Sequence, residues 1–257
     1  VLLRGLTELD KGEEWLLKPV QDPKNPNLWS PGIKLGVKRG SFTHQNELFG
    51  PVLGLMRAKD LEEAVEIANE TPYGLTSGLH SLDEREQAYW IKKIVAGNLY
   101  INRGITGAIV QRQPFGGCKE SSFGKGIKAG GPNYVMQFLN VQQVTSPKEK
   151  EIPAPKINAL VKKWAKLDLS KEEKDLLENS IASYAFFWKR YFSLDHDPSQ
   201  IVGQDNILRY VPQTPMLLRI QDADKLIDVL RVIVAAQICG TQLDVSIGLD
   251  HHLRPLL

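Results

Sequence analysis

"PVLGLMRAKDLEEAVEIANETPYGLTSGLHSLDEREQAYWIKKIVAGNLYIN", residues 51–102, decides the fold. Short apolar runs alternate with amphipathic ones at helical spacing. "PVLGLMRA" (51–58) reads as a buried strand. Asp60 followed by Glu63 reads as an N-cap and third-position carboxylate opening a helix that turns Leu61, Ala64, Val65 and Ala68 inward. "TPYG", a turn with Pro72 and Gly74, ends it, and "LTSGLH" (75–80) is the next strand. Ser81 with Glu84 suggests a second capping box. Its helix would face Ala88, Ile91, Ile94 and Val95 inward, with Gly97 placed for a left-handed C-terminal cap. "NLYIN" (98–102) follows. Strand, helix, strand, helix, strand with short links implies an α/β fold with a parallel sheet.

Working outward, "EEWLLKPV" (13–20) and "GIKLGVK" (32–38) are short β candidates separated by the breaker-rich "QDPKNPNLWSPG" (21–32). Downstream, "SPKEKEIPAPK" (146–156) combines three prolines with alternating charge and reads as a linker. Beyond it, Ser170 and Glu173 cap a helix with Leu177, Ile181, Tyr184 and Trp188 on one face. "PMLLRI" (215–220), a helix over about 224–238 and "LDVSI" (243–247) then form another strand–helix–strand unit. The expected organisation is a first segment over 1–145, a linker over 146–159, and a second small α/β segment over 160–257.

Composition narrows the function classes. The 257 residues are 42% hydrophobic and 24% charged, the profile of an ordinary globular protein. A net charge of +2 with scattered basic residues argues against a nucleic-acid partner. The two cysteines, Cys118 and Cys239, give neither a disulfide framework nor metal spacing, and the pair His251–His252 has no ligand cluster around it, so no metal is expected. "NET" at Asn69–Thr71 is a chance glycosylation match in a protein expected to be cytoplasmic. The most apolar run, "LIDVLRVIVAAQICG" (226–240), carries Asp228 and Arg231 and reads as a buried helix, not a membrane span.

Two motifs resemble chemistry and fail on inspection. In "FGKGIKAGG" (123–131) the glycine spacing matches neither the dinucleotide fingerprint nor the phosphate loop. Cys118, between Gly117 and Lys119, could be a nucleophile activated by the lysine. With no histidine base beside it, a small residue filling a glycine turn is the better reading. Cys239 reads as core.

"NELFGPVLGLMRAKDLEEAVEIANETPYGLTSGL" (46–79) and "GNLYINRGITGAIVQRQPFGG" (97–117), taken together, resemble the aldehyde dehydrogenase superfamily. "TGAIVQRQPFGG" followed by "IKAGGPNYV" (127–135) resembles its L-glutamate γ-semialdehyde, or 1-pyrroline-5-carboxylate, dehydrogenases. Residues 160–257, with "GQDNILRYVP" (203–212), resemble the C-terminal region of proline utilization A, which joins such an enzyme to an FAD-dependent proline dehydrogenase. "AAQICGTQLDVS" (235–246) echoes the helix-to-strand passage of the family's cofactor domain without its nucleotide-contacting lysine, which implies a non-catalytic copy.

The resemblance implies the C-terminal part of an aldehyde dehydrogenase fold: a parallel-sheet catalytic domain with an oligomerisation strand at "NYVMQFLNVQQV" (133–144). It implies NAD as cofactor. Glu47 would accept hydrogen bonds from the nicotinamide-ribose hydroxyls, two acceptor oxygens meeting two donors. Phe49 would pack beside the nicotinamide and Leu75 would line the same face. The substrate, glutamate semialdehyde, carries a carboxylate remote from its aldehyde. Gly107 and Ala108 would anchor it through main-chain N–H groups, which bind a carboxylate without a charged side chain, and Phe115 would pack on its aliphatic stem. The family's nucleophile stands in a G-Q-x-C context upstream of the glutamate motif. None occurs before Glu47, so no catalytic residue is assigned. The chain is expected to be a piece of a longer polypeptide, inactive alone, partnered by its upstream half, homo-oligomeric, and at most peripheral to a membrane through the proline dehydrogenase part. The alternatives are an inactive oligomerisation or scaffold module, and an aldehyde dehydrogenase of different specificity.

Overall fold

The computed structural model describes residues 1–109, 112–123, 127–140, 142, 151–213 and 215–254. The chain divides into two units, Val1–Leu139 and Asn140–Leu257.

The first unit opens with α1 (Leu2–Thr7), then β1 (Glu14–Leu17), β2 (Gly32–Leu35), α2 (Phe42–Gln45) and β3 (Val52–Gly54). β1 pairs antiparallel with β2, and β2 parallel with β3. Lys34 lies on β2 and is only 1% exposed. Its amine donates to Glu8 O at 2.8 Å and to Thr43 Oγ1 at 3.3 Å, and lies 3.4 Å from the buried Glu13 carboxylate. One charged side chain thus fastens α1, β1 and α2 around β2. Residues 51–58 differ from the expected buried strand. β3 is short and Leu53 is exposed, because its ladder is spent on β2 alone and continues as Leu55 N–H to Lys34 O.

α3 (Leu61–Asn69) starts on Asp60, whose carboxylate accepts from Glu63 N–H at 2.8 Å. Glu63 reaches back to Lys59 N–H rather than to the cap residue. Val65 is buried and Ala68 faces solvent. α3 leads not back to the first sheet but to β4 (Tyr73–Gly74) and β5 (Thr76–Leu79). α4 (Glu84–Lys93), β6 (Asn98–Ile101) and β7 (Cys118–Lys119) follow. β5 and β6 run parallel from Thr76–Asn98 to Leu79–Ile101, and β4 pairs antiparallel with β7. The strands expected to form one parallel sheet over residues 51–102 are instead divided among three small sheets, β3 with β1 and β2, β4 with β7, and β5 with β6. α3 connects β3 to β4 and α4 connects β5 to β6, and the two helices pack around Val65, Trp90 and Ile94.

Three expectations for α4 are corrected. Its N-cap is Asp83, which accepts from Arg85 N–H, while the Ser81 hydroxyl is engaged by the Glu86 carboxylate. An ionised side chain is the stronger acceptor at a helix start. Trp90 and Ile94, four residues apart, form the buried stripe. Ala88 lies roughly 200° around the helix from Trp90, and Val95 falls beyond the helix end, so both are exposed. Gly97 is not a left-handed cap. A Cβ there would sit 2.0 Å from Gly116 O and 2.6 Å from Gly117 Cα, so glycine is required by close backbone approach. The expected strand over 133–144 is also absent from its described residues. Val135–Phe138 form a 3₁₀ turn, whose tighter i→i+3 bonding replaces an extended run; residues 141, 143 and 144 lie outside the described residues.

In the second unit, α5 (Pro155–Trp164) begins inside the segment read as a linker. Pro155 occupies the first turn, where its missing N–H costs nothing; residues 146–150 lie outside the described residues. α6 (Lys171–Phe187) carries the expected reciprocal capping box of Ser170 and Glu173, and Trp188 heads a π-helical turn, Trp188–Phe192. β8 (Met216–Ile220), α7 (Leu226–Cys239) and β9 (Leu243–Ile247) complete the unit, with β8 and β9 parallel over five pairs. Leu177 and Ile181 of α6 pack with Ile227, Leu230 and Val234 of α7.

Candidate functional site

The loop between β6 and β7 is closed at its neck by side chains from its own stems. Asn98, the first residue of β6, donates through Nδ2 to Pro114 O at 3.1 Å and accepts through Oδ1 from Gly116 N–H at 3.1 Å. Phe115 and Ala129 exchange two backbone hydrogen bonds, at 3.0 and 2.8 Å. Lys128 donates to Gly97 O, to Gly116 O at 2.7 Å and to Asn98 Oδ1 at 3.3 Å. Just past β6 Asn102, in a left-handed conformation, exchanges two hydrogen bonds with the Ser81 backbone. Ile105 packs on Gly78 of β5, where an added Cβ would lie 2.4 Å from its Cγ2.

Between these fastenings the chain presents backbone rather than charge. Gly107 has φ 81°, a conformation that glycine takes without strain. Ala108 is half-buried and Gly107 exposed. Among the described residues, the N–H groups of Thr106, Gly107, Ala108 and Ile109 make no hydrogen bond. Phe115, at the base of the loop, is half-buried. Gly107, Ala108 and Phe115 thus share one loop. Leu75 joins its neck through Asn98 N–H to Leu75 O at 3.0 Å and is 39% exposed.

Glu47 and Phe49 stand on a separate segment between α2 and β3. Leu48 between them packs against Gly5, and Gly50 against Leu2, pinning the segment to α1. α2 is itself held: Asp10 accepts from Phe42 N–H, which with Arg4 keeps its carboxyl below the ordinary range. His44 accepts at Nδ1 from Gly40 N–H at 2.9 Å, so its proton sits on Nε2, 2.9 Å from Ile67 O. What this held segment offers is open. Glu47 is exposed and makes no hydrogen bond or ion pair among the described residues. Phe49 is 87% exposed and has φ 50°, rare for a bulky side chain. It borders a concavity of about 370 Å³ with Val37, Thr43, His44, Asn46 and Met56. Among the described residues no hydrogen bond or ion pair joins Glu47 or Phe49 to the 102–116 loop.

The cysteines do not form a nucleophilic centre. Cys118 is paired in β7, its sulfur 3.5 Å from Gly74 O, and the Lys119 amine is spent on the carbonyls of Asn69 and Thr71. Burial pushes the Cys239 thiol up, away from the thiolate. Among the described residues no cluster of His, Cys, Asp or Glu is arranged to hold a metal, and no helix is long and apolar enough to cross a membrane. The sequence reading missed Asn98 and Lys128. Asn98 had a visible signal, a polar residue opening an apolar strand behind glycine; Lys128 had none, since its acceptors on Gly97, Asn98 and Gly116 are remote in the chain.

This arrangement sets a glycine-bearing loop beside a parallel β–α–β unit of an α/β fold. The chain is a member of the aldehyde dehydrogenase family, whose model matches residues 7–144. It is 44% identical over 119 residues to the 1-pyrroline-5-carboxylate dehydrogenase of Staphylococcus epidermidis, a match covering 45% of this chain and 22% of that protein. The Staphylococcus aureus enzyme of the same name matches equally, at 44%. Among solved structures, proline utilization A from Corynebacterium freiburgense is similar across 97% of this chain and 24% of its own, with 40% identity and a TM-score of 0.84. The chain spans about a fifth to a quarter of the length of these relatives.

Proposed function

We propose that this chain is the substrate-anchoring part of an enzyme that oxidises L-glutamate γ-semialdehyde to glutamate with NAD. The observation that carries the reading is the run of uncommitted amides from Thr106 to Ile109, on a loop with fixed stems and a left-handed Gly107. Oriented N–H groups carry partial positive charge and suit a carboxylate, and their fixed placement removes the cost of ordering a flexible side chain. A simple aliphatic aldehyde would have no use for them. Phe115 at the loop base would pack on the aliphatic stem, and Ala108 is small enough to leave the approach open.

Glu47 and Phe49 fit a bound NAD. The free carboxylate of Glu47 can accept from both hydroxyls of a ribose, and an exposed, strained aromatic is the kind of outlier that persists at functional sites. NAD would supply the hydride acceptor, Phe49 one wall beside its ring, and Leu75 a further apolar contact. The attacking thiolate is assigned outside residues 1–257, since neither cysteine here is activated. The likeness to proline utilization A supports a parent that also carries an FAD-dependent proline dehydrogenase. No residue of this chain is assigned to FAD, and residues 160–257 are assigned a non-catalytic role. An enzyme that assembles as an oligomer remains part of this proposal.

The test is Ala108→Leu in the full-length enzyme. Added bulk at the carboxylate end should lower kcat/KM for glutamate semialdehyde about 100-fold while changing that for pentanal less than threefold, a difference of about 2–3 kcal/mol. Equal losses on both aldehydes would remove the anchor assignment.

A further inference from the structure

The segment "FGKGIKAGG" fits no nucleotide-binding pattern, yet the structure gives its second lysine a defined place. Lys128 turns its amine inward, onto Gly97 O, Gly116 O and Asn98 Oδ1. An ammonium has three N–H groups, and this one meets three acceptors. Gly97 and Asn98 stand on the arm that enters the loop, Gly116 on the arm that leaves it. Asn98 ties the same two arms through Pro114 O and Gly116 N–H. Ala129, the next residue, doubles the closure by its two bonds to Phe115. Burial pushes the amine's pKa below its ordinary 10.5, because leaving water disfavours the charged over the neutral amine.

We propose that Lys128 is a positioning residue for carboxylate recognition: its amine clasps both arms of the 102–116 loop and so holds in place the segment that carries the amides of Thr106 to Ile109. This inference rests on the reading of that loop as the substrate anchor. Lys128 acts through Asn98 and Gly116 and does not touch the substrate. Its effect is therefore selective: a loosened neck lets the amides diverge, which matters only to a substrate that uses them. The tripod geometry also makes arginine a poor replacement, because a planar fork cannot address three acceptors placed around one point.

The experiment compares Lys128→Met, Lys128→Arg and Ala108→Leu in the full-length enzyme, with glutamate semialdehyde and pentanal as substrates and L-glutamate binding measured by calorimetry. Lys128→Met keeps the length and removes the donors. It should raise KM for glutamate semialdehyde and Kd for L-glutamate about 10- to 100-fold, the range for losing hydrogen bonds to a charged group. Kinetics with pentanal and KM for NAD should stay within twofold. Lys128→Arg, which keeps the charge, should recover part of the loss. If Lys128→Met shows a normal melting curve and normal glutamate binding, or if both aldehydes suffer alike, the inference fails. Should Lys128→Met not fold, Lys128→Arg decides by the same ratio: selective loss supports the clasp and equal loss overturns it. Selective loss in Ala108→Leu without selective loss at Lys128 would refute the clasp and leave the anchor standing. No selective loss in Ala108→Leu would refute the anchor itself.

Discussion

Replacing Gly97 by alanine should break the neck of the loop, and the size of the effect follows from the packing. The new Cβ would lie 2.0 Å from Gly116 O, 2.6 Å from Gly117 Cα and 2.8 Å from Gly116 C, all backbone atoms that cannot rotate away. To reach the 3.0 Å that real Cβ contacts rarely undercut, the Gly116 arm must retreat by about 1 Å. That stretches the bond from Gly116 N–H to Asn98 Oδ1, now 3.1 Å, and that from Lys128 to Gly116 O, now 2.7 Å, beyond useful length. Losing these at about 1 kcal/mol each, with about 1–3 kcal/mol of overpacking strain, gives a destabilisation of about 3–5 kcal/mol. Urea unfolding measures it: with an m-value of about 2 kcal/mol per M, the midpoint should fall by about 2 M. Gly104→Ala is the control. It has open space around an added Cβ and should stay within about 0.5 kcal/mol of the parent. A Gly97→Ala variant as stable as the parent, or a Gly104→Ala variant equally damaged, would refute the account of the neck.

The buried pair of Lys34 and Glu13, with side chains 2% and 0% exposed, makes a contrast between single and double changes. Glu13→Leu alone should cost about 3–5 kcal/mol in urea unfolding, because it strands a cation, whereas Glu13→Leu with Lys34→Met should recover most of that. Leu230, fully buried between α6 and α7, should cost about 3–5 kcal/mol on truncation to alanine, while Val232→Ala, at 43% exposure, should be nearly silent by thermal melting. The Asp197 carboxyl is held at about 2, against an ordinary 3.8, chiefly by Asn206 N–H and then by Gln200 N–H and the Ser199 hydroxyl. A depressed carboxyl contributes stability that is complete above about pH 4 and is lost as pH falls through about 2. Acid titration followed by circular dichroism should show that loss shrinking in Asp197→Asn; an unchanged acid transition would contradict it.

Local signals carried much of the fold. Ser170 with Glu173 was legible because a capping box is written within four residues, and the β8–α7–β9 unit because its periodicity switches between flanking breakers. What escaped depends on distant partners. Lys34 sits in an alternating strand pattern that assigns it to solvent, yet the Glu13 carboxylate and Glu8 O, the latter 26 residues away, make its burial possible. Ser81 looked like a cap until Glu86 took its hydroxyl. Gly97 carried a correct residue with a wrong reason, since the Gly116 carbonyl that forbids a side chain comes from the far arm of the loop. The candidate site divides the same way. The resemblance singled out Gly107, Ala108 and Phe115, and Asn98 carried a local signal, but the bonds of Lys128 to Gly97 O and Gly116 O are invisible to spacing.

The most direct test is a crystal structure of the full-length protein with L-glutamate and NAD. The account places the α-carboxylate about 2.8–3.0 Å from the N–H groups of Gly107 and Ala108, with no arginine or lysine side chain against it and the ribose hydroxyls on Glu47. A carboxylate resting on a basic side chain, with the 106–109 amides still vacant, would contradict it.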